Sequence, residues 1–409
     1  MIDLTEVQRE ILATIEALPA MECALSDALG LALASDVFTA DAIPPFANTA
    51  MDGYAVRAAD TVDATDASPV RLRVVGELPA GRAPTIAVGD GEAIRIMTGA
   101  PMPDGADAVV MVERTERAGD DAVVVHTAVT PGQFVRAAGG DLQSGARVFT
   151  AGTVLGAAQL GVLASVDAQR VQVTRRPRVG VLSTGDELVA SGALSPGKIR
   201  DANRPMLLAL LQRAGLTPVD LGIARDDEAE MTAKIDDALD ACDAVITSGG
   251  VSVGDFDYVS TVLERLVEAD RDPRAQVNWY QVAIRPAKPL CYSFVRGTPV
   301  FGLPGNPVSS LVSFELFARP ALLTMAGHTE VQRERLTARA AHPMPRTPDG
   351  KIHFDRVTLA VVDGHYVASS VRAQDSNTLA ATASADALAL IPDGDGVLEG
   401  AELQIQPLG

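Results

Sequence analysis

The chain has little of what would staple a small fold or ligate a soft metal. Its 409 residues include three cysteines, Cys23, Cys242 and Cys291, far apart and without a CxxC pair. A disulfide framework and a structural zinc site are therefore not expected. Cys242, inside the run ACDAVI, reads as a small core residue. The five histidines (126, 328, 342, 353 and 365) show no HExxH or HxH spacing, which removes the common zinc-hydrolase patterns. Positive charge is scarce: 34 Lys and Arg stand against 53 Asp and Glu, a formal net charge of −19. Such a surface repels nucleic acid and anionic membranes, and an anionic substrate would need a local cationic pocket. Apolar runs are broken by Gly, Pro or charge well short of a membrane span. The opening MIDLTE is acidic where a secretory signal is basic, so a cytoplasmic location is expected. No GxxxxGK[ST] occurs and no GxGxxG follows a strand, which excludes a P-loop or the common dinucleotide fingerprint.

What remains is a well-packed chain, 47% hydrophobic with mean hydropathy +0.16, long enough for two to four domains. Leu4, Val7, Ile11, Leu12, Ile15 and Leu18 fall at helical spacing and predict a helix over 4–18. The Ala- and Leu-rich stretch 22–35 reads as a second helix. Short β-like runs at 72–75, 108–112 and 122–125, separated by Gly, Pro and Asp turns, predict a β-rich module over 45–140. Residues 141–177 carry more short strands and turns, with a short helix at 157–165. From residue 178 strands (179–182, 217–222, 243–247, 300–303) alternate with helices (204–214, 226–239, 257–267, 307–326), Asn203 serving as cap of the first. That pattern predicts an α/β domain over 178–327, joined by 1–26, with a parallel sheet covered on both faces. After 328 the short β runs return, which predicts a β module over 328–409. The expected fold class is multidomain α/β plus β.

Three loops lie where the predicted parallel strands end, the edge at which open α/β sheets bind ligands. Ser183-Thr-Gly-Asp-Glu187 joins hydroxyls, a glycine and carboxylates in one turn, although an ordinary helix N-cap explains it equally. Thr247-Ser-Gly-Gly-Val-Ser-Val-Gly-Asp-Phe-Asp257 places three glycines, two serines and two carboxylates between a strand and a helix. Backbone N–H groups there suit an anion, and the carboxylates suit a divalent cation beside it. Leu303-Pro-Gly-Asn-Pro-Val-Ser-Ser310 enters a helix at Pro307 with Asn306 at the cap. Arg285-Pro-Ala-Lys288-Pro289 holds two cations in a stiff loop, which either bind an oxyanion or decorate a surface turn. Outside this domain, PPFANTAMDGYAV (44–56) and RIMTGAPMPDGAD (95–107) concentrate Met, aromatics and rigid turns around Asp52 and Thr98, and Gly139-Gly-Asp141 adds a carboxylate.

Taken in order, PPFANTAMDGYAV, GEAIRIMTGAPMPDGADAVV, STGDEL, SGGVSVGDFDY, RPAKP and FGLPGNPVSS resemble the molybdopterin molybdenumtransferase family, from the opening helix to about residue 392. The resemblance implies an elongated homodimer of four-domain subunits: a linking module, a β-rich inserted domain, an α/β molybdopterin-binding domain and a C-terminal β-barrel. It implies insertion of molybdenum from molybdate into adenylylated molybdopterin with release of AMP, promoted by magnesium, in a cleft shared between subunits. Carried over by motif, Asp52, Thr98 and Asp141 would reach in from the partner subunit. Glu187, Asp226 and Asp257 would contact metal or pterin, with Asp255 solvated. Ser248, Gly249, Gly250 and Ser252 would hold the terminal phosphate, and Arg285 and Lys288 would attract anions. Arg356 and Ser376 match looser patterns as substrate contacts. The molybdopterin adenylyltransferase and recipient molybdoenzymes would be its protein partners.

The chain departs from many members at Gln281 and Arg285, where they carry lysine, and at Ala287, where they carry glycine. Arginine keeps the charge without lysine's compact geometry, so activity with altered oxyanion affinity is expected. Two other readings fit parts of the pattern. Molybdopterin adenylyltransferases use the same α/β domain, but usually alone, whereas two β modules accompany it here. A non-catalytic scaffold, as in fused animal relatives, would call for a long linker or further domain.

Overall fold

The computed structural model describes residues 1–250 and 258–409. Its central element is a six-stranded sheet in the order Thr217–Ala224, Arg178–Thr184, Ala244–Ser248, Thr298–Leu303, Pro289–Val295, Gln276–Gln281. The first four strands are parallel. The last two run antiparallel, so the expected parallel sheet is mixed at one side. Alternate residues face opposite layers, as a period of two requires. Val179, Val181, Ile246, Phe301 and Leu303 join one core, with the helices Leu4–Leu12 and Asn203–Arg213. Leu182, Val245 and Val300 join the other, with Glu228–Ala241 and Tyr258–Ala269. Between residues 307 and 325 the chain forms one buried helical rod whose middle turn, Phe314–Ala318, widens to π geometry. It is the one helix among the described residues long and apolar enough to cross a membrane, and 89% of that stretch is buried in the protein.

The opening helix is capped by Asp3, which accepts from the Thr5 N–H at 2.8 Å. It stops at Leu12 rather than Leu18. The Leu18 N–H instead donates to the Met325 carbonyl, 2.8 Å away, tying the chain to the end of the buried rod.

The second expected helix does not form. Ala20–Ala24 is a strand paired antiparallel with Arg170–Thr174, whose other side holds Ala32–Leu33. Gly30 between them has φ +75. Cys23, Leu31 and Leu33 close on Leu155, Leu163 and Val173. Helix propensity is a small bias per residue, and pairing with a segment about 150 positions away overrides it.

Helix Ala157–Ser165 and the strands expected at 72–75, 108–112 and 122–125 are present, the strands in a six-stranded sheet ordered Ala108–Met111, Gly53–Val56, Glu92–Ile96, Val70–Leu78, Ala122–Val125, Thr115–Arg117. Gly53 has a steric reason: a Cβ there would lie 2.0 Å from the Val110 carbonyl oxygen. The C-terminal strands Ile352–Val362, His365–Ser370, Leu336–Ala340, Glu402–Pro407 and Ala387–Ile391 close into a barrel, the last pairing back onto the first. Ile284–Arg285, from the RPAKP loop, adds in parallel to Ile352 and His353. The cationic loop is thus registered against the barrel. The three cysteines are buried, and burial pushes the Cys242 thiol up.

Candidate functional site

The C-terminal ends of the parallel strands bring the three loops together. Gly249, at φ +98, lies against Thr184; a Cβ would be 2.7 Å from Thr184 Oγ1 and 2.8 Å from its carbonyl oxygen. Only glycine fits both the conformation and the space. Its N–H donates to the Leu303 carbonyl at 3.0 Å. The Gly249 N–H is therefore engaged within the protein. Gly305 stands 3.9 Å from the Gly249 Cα, measured from its would-be Cβ.

Asn203 ties two of the three loops to each other. It is the first residue of its helix, and Ala202 holds the cap position instead. Its side chain turns inward, where Nδ2 donates to Ser248 Oγ (2.8 Å) and to the Gly305 carbonyl (2.7 Å). Ser183 Oγ donates to Asp201 Oδ1 at 3.0 Å, and Asp201 in turn pairs with Arg204 at 2.9 Å. In the Leu303–Ser310 loop, Pro307 opens the helix and Asn306 holds the cap position without a side-chain capping bond.

The carboxylates lie on the outer side of the same edge. The 183–187 loop starts no helix; it leads into Leu188–Val189, paired with Ile199–Arg200. The Asp186 and Asp226 loops are latched reciprocally: the Asp186 N–H donates to Asp226 Oδ2 (3.1 Å) and the Asp226 N–H to Asp186 Oδ1 (3.3 Å). Glu187 folds its carboxylate back over Gly185, where a Cβ would meet Oε2 at 2.3 Å. No group of three His, Cys, Asp or Glu side chains converges as a metal site among the described residues. Ser252, Asp255 and Asp257 lie outside the described residues.

Beyond Asn306 the edge opens into a cavity of about 600 Å³ lined by Arg285, Lys288, Asn306, Ser309, Lys351 and Ser376, among others. Three cations therefore face one space, with Asp375 the carboxylate among its lining residues. Lys351 is supplied by the barrel and held by Asp349, 2.7 Å from Nζ. Lys351 and His353 pull the Asp349 carboxyl down to about 2. Ser376 presents its carbonyl to the Val308 N–H (3.1 Å), capping the helix that starts beside the cavity. Ala287 sits at φ +73 in the left-handed region, which favours glycine.

Arg356 does not line this cavity. It is 1% exposed. Its guanidinium donates to the Thr378 and Asp375 carbonyls (both 3.1 Å) and to the hydroxyls of Thr378 and Thr382 (both 2.9 Å). It fastens the loop that carries Ser376. Burial pushes this guanidinium's pKa down.

Asp52 and Thr98 meet in the β-rich sheet: Asp52 Oδ1 accepts from both the N–H and the hydroxyl of Thr98, each at 2.7 Å. Those two bonds hold the exposed Asp52 carboxyl below its usual range. Asp141, also exposed, is fixed through its backbone, its N–H donating to the Ile43 carbonyl at 2.9 Å. A second cavity of about 610 Å³, on the outer side of the barrel strands, is mostly apolar and offers Glu402 but no cation, which does not suit an anionic ligand.

Comparison with known proteins agrees with this geometry. Residues 2–166 match the MoeA N-terminal region (domains I and II), residues 180–324 a probable molybdopterin binding domain, and residues 337–408 the MoeA C-terminal region (domain IV). The chain is 39% identical over 406 residues to molybdopterin molybdenumtransferase 2 of Mycobacterium tuberculosis, covering 98% of each. It is 37% identical over 371 residues to the molybdopterin molybdenumtransferase of Nostoc, covering 90% of this chain and 83% of that one. A molybdopterin biosynthesis MoeA protein from Pyrococcus horikoshii superposes with TM-score 0.80 at 32% identity, over 100% of this chain and 99% of its own. With its three regions matched in order and relatives of this similarity along nearly its whole length, the chain belongs to the MoeA, or molybdopterin molybdenumtransferase, family.

Proposed function

We propose that this protein inserts molybdenum from molybdate into adenylylated molybdopterin, releasing AMP. The observation that carries this reading is the cavity where Arg285, Lys288 and Lys351 converge on a chain of net charge −19. Such a trio is a local trap for a small tetrahedral oxyanion, Arg as a fork and Lys as point charges. Asn306 joins that cavity to the Ser248–Gly250 cradle, so oxyanion and pterin phosphate would lie along one edge. Ser248 and Gly250, with Ser252, would hold the phosphate, and Gly249 would give it room. Ser376 would face the oxyanion, and Arg356 would keep Ser376 in place.

Glu187 and Asp226, with Asp257, are hard oxygen donors of the kind magnesium takes. The reciprocal Asp186–Asp226 latch fixes the loop that carries Glu187 against the loop that carries Asp226. When bound, magnesium would offset the charge of the adenylate. Molybdate would itself be the attacking oxyanion, so a side-chain nucleophile is not required.

The Asp52–Thr98 pair and Asp141 we assign to the cleft of a second subunit, in a cytoplasmic homodimer that receives its substrate from the adenylyltransferase and delivers to molybdoenzymes. We divide the chain into a linking module (27–44, 141–177), an inserted domain (45–140), the α/β domain (1–26, 178–327) and the barrel domain (328–409). The strand Ala20–Ala24 joins the linking module through its pairing.

The test is AMP release from adenylylated molybdopterin by the purified protein. It should require molybdate and yield cofactor that activates an apo-molybdoenzyme. Lys288→Ala should raise the KM for molybdate about tenfold, the worth of one charged contact. Mixing Asp52→Ala with Lys288→Ala subunits should restore activity above either parent if the cleft is shared. ATP-dependent formation of the adenylate, with no molybdate dependence, would overturn the assignment.

A further inference from the structure

We propose that Asn203 is a positioning residue that sets the polarity of the Ser248 hydroxyl, making it a donor to the phosphate ester of the ligand. The inference rests on the reading that Ser248 contacts that phosphate. The geometry fixes the orientation of the amide. A carbonyl oxygen can only accept, so the atom 2.7 Å from the Gly305 oxygen must be the Asn203 NH₂ group. The same nitrogen lies 2.8 Å from Ser248 Oγ. Ser248 Oγ therefore receives a hydrogen from Asn203 and its own hydroxyl hydrogen points elsewhere. Both side chains are buried, and no other bond occupies that hydrogen among the described residues. A phosphate oxygen is an acceptor only, and a hydroxyl polarised in this way presents it with a donor.

Two further observations support a role in binding. Asn203 does not cap its helix, so its inward orientation has another cause. Its Oδ1 is buried and makes no hydrogen bond among the described residues, so the amide is left incomplete beside the cradle. Helix stabilisation alone would turn this side chain to the backbone N–H groups of its own first turn.

Asn203→Asp keeps the shape and reverses the polarity: a carboxylate accepts the Ser248 hydrogen and turns it from the ligand. Binding of molybdopterin, and of the same pterin with its terminal phosphate removed, should be measured by titration calorimetry for the parent, Asn203→Asp, Asn203→Ala, Ser248→Ala and the Asn203→Ala/Ser248→Ala double variant. Asn203→Asp and Asn203→Ala should each weaken molybdopterin roughly tenfold or more, the worth of a hydrogen bond to a charged acceptor. Both should leave the dephosphorylated pterin within about twofold, and the double variant should bind molybdopterin no worse than Ser248→Ala. Equal weakening of both pterins, or a further tenfold loss in the double variant, overturns the relay and makes Asn203 a general brace of the loops. If Ser248→Ala itself binds molybdopterin like the parent, the phosphate assignment falls, and the relay with it. Asn203→Ala carries the test if the carboxylate beside the Gly305 carbonyl prevents folding.

Discussion

Glu315 should be the most stability-critical charge in the molecule. It lies in the π-turn of the buried rod, and its side chain is fully buried. Arg333 grips both its oxygens, Nε at 2.6 Å and Nη2 at 3.0 Å. Arg213 approaches to 3.3 Å from helix Asn203–Arg213, and Arg319 to 3.9 Å from one turn further along the rod. Arg333 belongs to the segment leading into the barrel and also reaches the Gly409 carbonyl at 3.4 Å. One carboxylate thus ties together two helices, the approach to the barrel and the chain end. Removing it leaves three guanidinium groups around a void.

Breaking a buried pair in this way costs about 3–5 kcal/mol. Arg213, 45% exposed on its side chain, adds little to that. If the unit that unfolds cooperatively spans about 150–250 residues, the loss corresponds to a fall in Tm of roughly 6–20 °C. Glu315→Gln should lose less, about 2–3 kcal/mol, because its carbonyl still accepts from Arg333. Burial and the neighbouring Arg333 both push the Arg319 guanidinium down, and Glu315 opposes them. Differential scanning fluorimetry and urea unfolding of the parent and both variants would measure this. A Glu315→Ala protein within about 1 kcal/mol of the parent would refute the reasoning, since the arginines would then be solvated without it.

Gly249→Ala should fold but lose substrate binding, since its Cβ would sit 2.7 Å from Thr184 Oγ1 and force the cradle open; unchanged molybdopterin affinity would count against the cradle. Arg356→Lys should weaken Ser376-dependent molybdate binding and stability together, because one ammonium cannot span four acceptors; limited proteolysis at 374–382 would report the loosened loop. The bond from Lys351 pulls the Asp349 carboxyl from the ordinary aspartate range, about 4, down to about 2. Its contribution is therefore full above pH about 4 and lost as the pH falls through about 2. The Tm difference between parent and Asp349→Asn should shrink over that window; a difference constant from pH 7 to 2 would show that charge is not its source.

The α/β half of the fold was legible because buried strands and amphipathic helices differ in period, and each reports on its own neighbours. The stretch 22–35 was not: its Ala and Leu suit a helix, and only the strand at 170–174 makes them β. The site divides in the same way. Arg285 and Lys288 sit in one motif and were visible, whereas Lys351 reaches them because the barrel strand it precedes pairs with Ile284–Arg285. No local pattern signals that. Residue type and position alone suggest Asn203 as a helix cap. Its inward turn depends on Gly305, 102 residues away. The motif resemblance puts Arg356 among the substrate contacts, whereas four acceptors between 375 and 382 that no spacing rule collects hold its guanidinium in the interior.

The pairing of Ile284–Arg285 with Ile352 and His353 makes the RPAKP loop a shared possession of two modules. A chimera that takes its barrel from a relative would import a foreign edge strand, a foreign residue at 351 and a foreign tether for the 374–382 loop in one stroke. The unit of exchange for altering anion preference is thus the loop and barrel together. Within a lineage, substitutions at 285, 287 and 351 should be acquired as a set.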